Sequence, residues 1–167
     1  ICKNDDDHYI YANDAIKINL SKYLNEYRLI GDSLNIIDAP IYNFSLFLKI
    51  KVAQSYDTNT VINKAISSIY QNMRFDTLQI GEGININDII SLALSVNGVS
   101  TIISNYKTIV RSKNNTDITS QQSILNLQYN SSRFSSREKY IDGIVYPPQG
   151  GIFELKCPSY DIEIVSG

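Results

Sequence analysis

The amino-acid sequence predicts an α+β fold, in which a small sheet carries amphipathic helices packed on one face and the chain closes with a C-terminal β-hairpin. Residues 43–52 alternate between apolar and polar side chains, which is typical of a strand with one buried face. Two later segments instead repeat their apolar residues at helical spacing. The 167 residues are enough for one domain with a sizeable core.

The first predicted element is a helix over Asp14–Arg28. Asn13 can cap this helix, because an asparagine side chain accepts hydrogen bonds from the free amides of the first turn. Apolar side chains recur along it at helical spacing, at Ile16, Leu20, Leu24 and Tyr27. A short strand is expected next, over Ser33–Asp38. It ends before Pro40, because proline has no amide hydrogen for a ladder.

The strand over residues 43–52 is the clearest pattern in the chain. Its apolar face carries Phe44, Leu46, Leu48, Ile50 and Val52. Its polar face carries Asn43, Ser45, Lys49 and Lys51, and is interrupted by Phe47. Because a large apolar side chain stands among polar ones, we expect another element or a partner to cover Phe47.

An amphipathic helix is predicted after this strand, with cap residues in Asp57–Thr60 and an end near Met73. Its apolar stripe contains Val61, Ile62, Ala65, Ile66, Ile69, Tyr70 and Met73. A short strand is expected over Thr77–Ile80, directly before the glycines of the sequence Gly81-Glu82-Gly83.

A second helix is predicted over Asp88–Val96, with Asn87 as its cap and Asp88 favourably placed near its positive end. Asn97-Gly98 is typical of a left-handed helix stop. The segment Val99–Val110 then predicts a further strand. Strand, helix, strand, helix and strand therefore follow one another in the middle of the chain.

The last part of the chain combines a polar segment with turn signals. Residues 113–139 are rich in Ser, Asn and Gln, which predicts an extended excursion. Asp142-Gly143 and the later PPQGG are turn signals, which predict a terminal hairpin. The predicted organisation is one compact unit of four segments: 1–40 (helix and short strand), 41–112 (α+β core), 113–139 (excursion) and 140–167 (hairpin).

Composition excludes several classes of protein. A net charge of −2 and a pI near 5.3 argue against nucleic-acid binding, which usually needs a basic face, and leave no polybasic patch for a membrane. No apolar run approaches the roughly 20 residues of a membrane-spanning helix. The start, ICKNDDDHYI, does not resemble a signal peptide. Because it begins at Ile1 rather than Met, we expect the chain to be a fragment or a processed product.

Two cysteines, Cys2 and Cys157, lie near opposite ends of the chain. One pair does not make a disulfide framework, so free thiols in a reducing compartment are the expected state. A bridge that joins the ends stays open, since chain termini often lie close together.

The order strand, Gly81-Glu82-Gly83, helix raises the possibility of a phosphate-binding loop. A dinucleotide fingerprint needs a third glycine where this chain has Ile86, and a Walker loop needs Gly-Lys-Ser or Gly-Lys-Thr. Glu82 would also place a negative charge beside the phosphate. The glycines are therefore predicted to serve a tight turn.

The cluster Asn4-Asp5-Asp6-Asp7-His8 contains metal-ligating residue types. Calcium loops space their oxygen ligands at alternate positions and need a glycine, so a solvated acidic loop is the favoured interpretation. No nucleophile elbow or zinc-protease helix occurs, and nothing selects Asp161 and Glu163 as a catalytic carboxylate pair. We therefore expect no enzymatic activity, no metal and no cofactor.

The middle of the chain resembles the baseplate J-like module of contractile tails. The landmarks are Tyr56-Asp57 before a capped helix, Ile80-Gly81 between helices and Gly98-Val99 before a strand. The flanks KYLNEYRLIGDSLNIIDAPIYNFSL and KYIDGIVYPPQGGIFELKCPSYDI are similar to the C-terminal region of the baseplate wedge subunit of T-even-type phages. The resemblance covers about residues 13–164.

This resemblance implies a structural protein of the virion tail baseplate, assembled in the host cytoplasm. Members of that family form homodimeric contacts, including the contact that joins neighbouring wedges into a ring, and they bind other wedge proteins. The expected partners are therefore a second copy and other wedge proteins, without nucleic acid or membrane. Candidate contact residues are Phe47 on the outer strand face and Tyr146 and Phe153 in the terminal hairpin.

Two other functions stay open at this point. The same architecture would serve a baseplate subunit of a phage-derived contractile injection system, which neighbouring genes would distinguish. A small-molecule-binding domain or enzyme would use the glycine loop, with its ligand over Gly81–Asn87 and loss of binding when Gly83 is substituted.

Overall fold

The computed structural model describes residues 1–29, 31–113, 129 and 133–167. The chain forms two compact units, Ile1–Ala39 (the N-terminal unit) and Pro40–Gly167 (the C-terminal unit), rather than the single unit expected. The division lies next to the predicted boundary at residue 40. Most of the predicted excursion lies outside the described residues.

The N-terminal unit contains a two-residue hairpin and one helix. Strands β1 (Cys2–Lys3) and β2 (Tyr9–Ile10) pair antiparallel, and helix α1 spans Asp14–Asn25. The predicted cap is confirmed, since the Ile16 amide donates to the Asn13 side chain at 2.9 Å. The helix ends three residues before Arg28, where the sequence had placed its end.

The strand predicted over Ser33–Asp38 is wrong, because this segment pairs with no other strand among the described residues. Its last residue instead makes side-chain contacts within the unit. The Asp38 carboxylate accepts hydrogen bonds from the Ala12 amide and the Lys17 ammonium group. Extended backbone without a ladder partner does not make a strand.

The C-terminal unit mixes helices and strands, which confirms the α+β class. In chain order, its elements are β3 (Ile41–Val52), α2 (Thr58–Met73), β4 (Ile84–Asn85), α3 (Ile86–Leu94), β5 (Val99–Ile102), β6 (Val110–Ser112), β7 (Tyr140–Ile141), β8 (Ile144–Val145), β9 (Ile152–Glu154), α4 (Pro158–Asp161) and β10 (Ile162–Ser166). Two 3₁₀ turns, Phe75–Thr77 and Tyr106–Thr108, lie between these elements.

The long strand β3 is the centre of the larger sheet, because four other strands all pair with it. β5 and β6 pair antiparallel, while β9 and β10 pair parallel. Leu46 has partners in both β6 and β10, and Ile50 has partners in both β5 and β10. β10 therefore lies along one edge of β3, and β5 and β6 follow each other along the opposite edge.

The apolar face of β3 forms the middle of the core, as its alternation predicts. Phe44, Leu46, Leu48 and Ile50 have no exposed surface. Helix α2 packs Val61, Ala65 and Ile69 into the same core, and α3 contributes Ile86, Ile89 and Ala93. The predicted polar face is exposed only at Lys49 and Lys51, while Asn43 and Ser45 are buried. β3 is therefore covered on both faces near its start.

Helix α2 begins as predicted, with the Thr60 amide donating to the Asp57 carboxylate at 2.8 Å. The strand predicted over Thr77–Ile80 is wrong, since Thr77 ends a 3₁₀ turn and residues 78–80 pair with no described strand. Two predicted features then move back by two residues along the chain. Helix α3 spans Ile86–Leu94 rather than the predicted Asp88–Val96. Asn85 rather than Asn87 caps α3, because its side-chain oxygen accepts from the Asn87 amide.

The strand predicted over Val99–Val110 is divided into β5 and β6 by the 3₁₀ turn Tyr106–Thr108. The Lys107 amide donates to the Asn105 side chain and so caps that turn. Both halves still pair with β3, so the division changes the register along one edge and leaves the strand direction unchanged.

The C-terminal hairpin is short. β7 and β8 pair antiparallel through Asp142 and Gly143, whose φ angles of 49° and 87° are those of a tight hairpin turn. β9 and β10 instead each join β3 in parallel. The end of the chain is thus an integral part of the main sheet, and Ile152, Phe153, Ile162 and Ile164 are buried there.

Candidate functional site

Backbone amides in and after the glycine loop already donate hydrogen bonds within the protein, so they are not free to bind a phosphate. The Gly81 amide donates to the Gly151 carbonyl at 2.8 Å, and the Glu82 amide donates to the Gln79 carbonyl. The Ile86 amide donates to the Gly143 carbonyl. The Glu82 carboxylate accepts from the Gln79 amide at 2.7 Å. A phosphate cradle needs free amides that point at the ligand, and these amides already have partners.

Gly81 and Gly83 are each suited to glycine for a different structural reason. Gly81 has a φ of +80°, a backbone conformation that side chains disfavour. Gly83 lies against the hairpin, where an added Cβ would stand 2.5 Å from Ile144 Cγ2 and 3.0 Å from the Tyr146 ring. The loop therefore supports the interpretation as a tight connection, as the sequence predicted.

The acidic segment near the start is a turn between β1 and β2. The Asn4 side-chain oxygen accepts from the Asp6 and His8 amides, at 3.1 and 2.8 Å. Asp7 has a φ of 65° and pairs with Lys3. Within the described residues, no group of three or more His, Cys, Asp or Glu side chains converges as a metal site would require. Both cysteines carry free thiols.

Asp161 and Glu163 lie in different environments, although they are only two residues apart. Asp161 ends α4 and has no exposed surface, whereas Glu163 is exposed on β10. The Asp161 carboxylate accepts from the Tyr129 hydroxyl at 2.6 Å and the Cys157 amide at 2.8 Å, and lies 3.0 Å from the Lys113 ammonium group. Through these contacts, the side chains of Lys113 and Tyr129 bind to the end of α4.

The three residues proposed as contacts have different surroundings. Phe47 is half-buried and is covered by Arg111, whose guanidinium carbon lies 3.7 Å from the ring centroid. Phe153 is fully buried and packs against Phe44 and Phe134, so its role is in the core and not at a surface. Tyr146 is 37% exposed beside the glycine loop and can still reach a partner.

One exposed apolar surface of the N-terminal unit was not assigned from the sequence. On and just after α1, Ile16, Leu20, Tyr23 and Tyr27 are 46, 43, 58 and 69% exposed. Their spacing of four, three and four residues places them on one side of the helix, which we call the α1 stripe. The periodicity of Ile16, Leu20 and Tyr27 was visible in the sequence. The exposure of these side chains among the described residues was not.

The α1 stripe is partly organised before any contact. The Tyr23 and Tyr27 rings have centroids 5.1 Å apart, and a hydrogen bond with the Tyr23 side chain raises the pKa of Tyr27 above its usual value. On another side of the helix, Lys17 binds Asp38, which holds the pKa of the Asp38 carboxyl below its usual value. No residue of α1 is buried.

A groove of about 460 Å³ lies where the end of α2 and the glycine loop meet the start of α3. Its walls contain Met73, Phe75, Leu78, Ile84 and Leu92 as apolar residues and Glu82 and Asp88 as charged residues. The carboxylates make this groove unsuited to a phosphate group, which supports the same conclusion as the occupied amides.

Two comparisons with known proteins gave no match. No model of a known protein family matches it, and no curated protein matches it significantly. Over the part of the chain that the structure describes, no helix combines the length and the apolar character that crossing a bilayer requires.

Proposed function

We propose that this chain is the C-terminal part of a baseplate wedge subunit of a contractile phage tail, and that it acts as a non-enzymatic assembly protein. It joins neighbouring wedges in the virion baseplate through contacts with a second copy and with other wedge proteins. The ordered sequence resemblance supports the family. The α1 stripe is the observation that supports an assembly role.

The α1 stripe favours association because of the energetics of short helices. Isolated helices shorter than about 12–15 residues are marginal in water, and most helical stability in proteins comes from packing of an apolar face. α1 has 12 residues and buries none of them. A partner that covers the stripe would supply the missing packing.

A second copy is a suitable partner for this surface. The stripe has the spacing of helix-to-helix packing, and two copies related by a twofold axis present the same surface to each other. Aromatic residues are enriched in the cores of protein interfaces, and two of the four stripe residues are tyrosines. Tyr146 and the Phe47–Arg111 stack are further candidates for contacts with other wedge proteins.

The test compares two double variants in native mass spectrometry and sedimentation velocity across a concentration series. Leu20→Asp with Tyr23→Asp places charges on the stripe. Tyr70→Asp with Leu94→Asp changes the same residue types at exposed positions of α2 and α3, and is the matched control.

We expect the wild-type chain and the control to form a concentration-dependent dimer, and the stripe variant to dimerise at least tenfold more weakly. Loss of the dimer in both variants would mean that the dimer contact does not lie specifically on α1. A wild-type chain that stays monomeric at every concentration, or that carries a stoichiometric small molecule, would contradict the proposed self-assembly.

A further inference from the structure

The groove beside the glycine loop combines an apolar floor with an acidic rim. Phe75, Leu78 and Ile84 are almost fully buried at its base, while Met73 and Leu92 keep part of their surface exposed. A groove of this kind can bury an aliphatic chain, because each CH₂ group removed from water contributes about 0.8 kcal/mol.

The two charged residues that line the groove are both acidic, while the basic residue Arg74 lines an adjoining groove that shares Glu82. Glu82 and Asp88 are its only charged lining residues, and neither lysine nor arginine lines it. Asn72 and Met73 belong to the last turn of α2, a 16-residue helix with no basic residue in that turn. The basic residue at this helix end is its C-cap, Arg74, which lines the adjoining groove.

Local structure restrains the Glu82 carboxylate and places Asp88 at a helix start. The Gln79 amide donates to Glu82 Oε2, which restrains that side chain. Asp88 lies in the first turn of α3, beside the positive end of the helix. Both groups are exposed at the rim and can accept further hydrogen bonds from a ligand.

We propose that this groove binds a lysine or arginine side chain of a neighbouring protein. The aliphatic stem lies on Met73, Phe75 and Leu92, and the cationic group lies between Glu82 and Asp88. Long basic side chains combine these two properties, since their stems pack on apolar surface while their charges stay in a polar environment. Binding of the side chain does not depend on the proposed assembly role, whereas a wedge protein as its source does.

Other occupants match the groove less well. A purely apolar side chain would desolvate two carboxylates without pairing them. A hydrated metal ion would not use the apolar floor, and among the described residues no set of three or more metal-ligating side chains converges. An anion would be repelled by Glu82 and Asp88.

The probe for the test is the peptide acetyl-Gly-Arg-Gly-amide, whose only side chain is the arginine. Two-dimensional ¹H–¹⁵N spectra of the full chain would follow the amides of Gly83 and Ser91, both groove residues. We expect saturable shifts at these amides. The citrulline peptide, which is neutral and nearly the same shape, should bind at least tenfold more weakly. Guanidinium chloride at equal ionic strength should give no saturable shift.

The variant Glu82→Gln with Asp88→Asn removes both charges and keeps acceptor oxygens for the Gln79 amide and the first turn of α3. Glu163→Gln is the control, because Glu163 is exposed and is not part of the groove. We expect the double variant to lose at least tenfold in affinity and the control to bind as the wild type does.

Equal binding of the arginine and citrulline peptides, or saturable shifts with guanidinium chloride alone, would overturn the proposal. So would wild-type affinity in the double variant. Dimerisation measured on the same samples separates this result from the proposed function. A dimer without peptide binding contradicts only the groove proposal, and peptide binding without a dimer contradicts only self-assembly.

Discussion

Helices α1 and α2 share a capped start and an apolar periodicity, but their apolar side chains have opposite surroundings. Each begins at a side chain that accepts from an amide of its first turn, and each repeats apolar residues at helical spacing. α2 buries Val61, Ala65 and Ile69 in the core, whereas α1 buries nothing. The same contrast separates the two units, because Ala39 is the one buried residue among those described in the N-terminal unit.

The contrast teaches that an apolar stripe has two uses in this protein. In the C-terminal unit the stripe faces a sheet and stabilises the fold of the chain itself. In the N-terminal unit it stays exposed and is available to a partner. The stability of the C-terminal unit is therefore expected to be insensitive to concentration, while association is expected to stabilise α1 further.

The largest expected effect concerns a buried charge in the C-terminal unit. Asp161→Ala should lower the free energy of unfolding by about 3–5 kcal/mol, because it removes the buried acceptor shared by the Tyr129 hydroxyl, the Cys157 amide and the Lys113 ammonium group. Urea unfolding followed by circular dichroism measures the change. Glu163→Ala, two residues away and exposed, should change it by less than about 0.5 kcal/mol. Equal effects would mean that the buried contacts of Asp161 do not stabilise the fold.

A pair of isoleucines tests the comparison of the two helices directly. Ile69→Ala in α2 should lower the free energy of unfolding by about 2–5 kcal/mol, since it removes a fully buried side chain. Ile16→Ala in α1 should change it by less than about 0.5 kcal/mol when the chain is monomeric, since that side chain is 46% exposed. A large effect of Ile16→Ala at low concentration would show that the stripe packs within the chain.

Two glycines of the C-terminal unit separate the cost of a left-handed backbone from the cost of crowding. Gly98 has a φ of +103°, and a Cβ there would lie 2.7 Å from Val61 Cγ2. Gly81 has a φ of +80° but open space around its Cα. Gly81→Ala should cost about 1–2 kcal/mol for the left-handed backbone, and Gly98→Ala should cost at least about 1 kcal/mol more because of crowding. Thermal unfolding of both variants checks the order, and a reversed order would contradict it.

The smallest expected effect is on the folding stability of each unit at low pH. The Thr60 side chain and amide hold the pKa of Asp57 below its ordinary 3.8, and Lys17 does the same for Asp38. A lowered folded-state pKa adds stability that is present above the unfolded value and is lost as pH falls through the folded value. The loss should therefore occur at and below about pH 3.8.

The variant Asp57→Asn keeps an acceptor at the cap of α2 but cannot titrate, so it should reduce the fall in Tm between pH 5 and pH 2.5. Lys17→Met should raise the pKa of Asp38 toward its ordinary value without changing that of Asp57. Proton chemical shifts of the two carboxyl groups report both pKa values. An unchanged Asp38 pKa in the Lys17→Met variant would contradict the assigned cause.

Several elements could be predicted from the sequence because their causes are local. The Asn13 and Asp57 caps depend on side chains within three residues of the amides they bind, and the alternation along β3 depends on the period of a strand. Two of the wrong predictions, at Ser33–Asp38 and Thr77–Ile80, were short strands. A strand needs a partner that is distant in sequence, and a short apolar run does not specify one.

The sequence by itself determined the α+β class, the bounds of α2 and the role of the glycine loop as a turn. The tertiary structure alone decided that β9 and β10 join β3 in parallel, that Phe153 is a core residue and that the α1 stripe is uncovered. The physical reason is the range of the interactions. Periodicity and capping act over a few residues, whereas burial depends on which distant segments pack against each side chain.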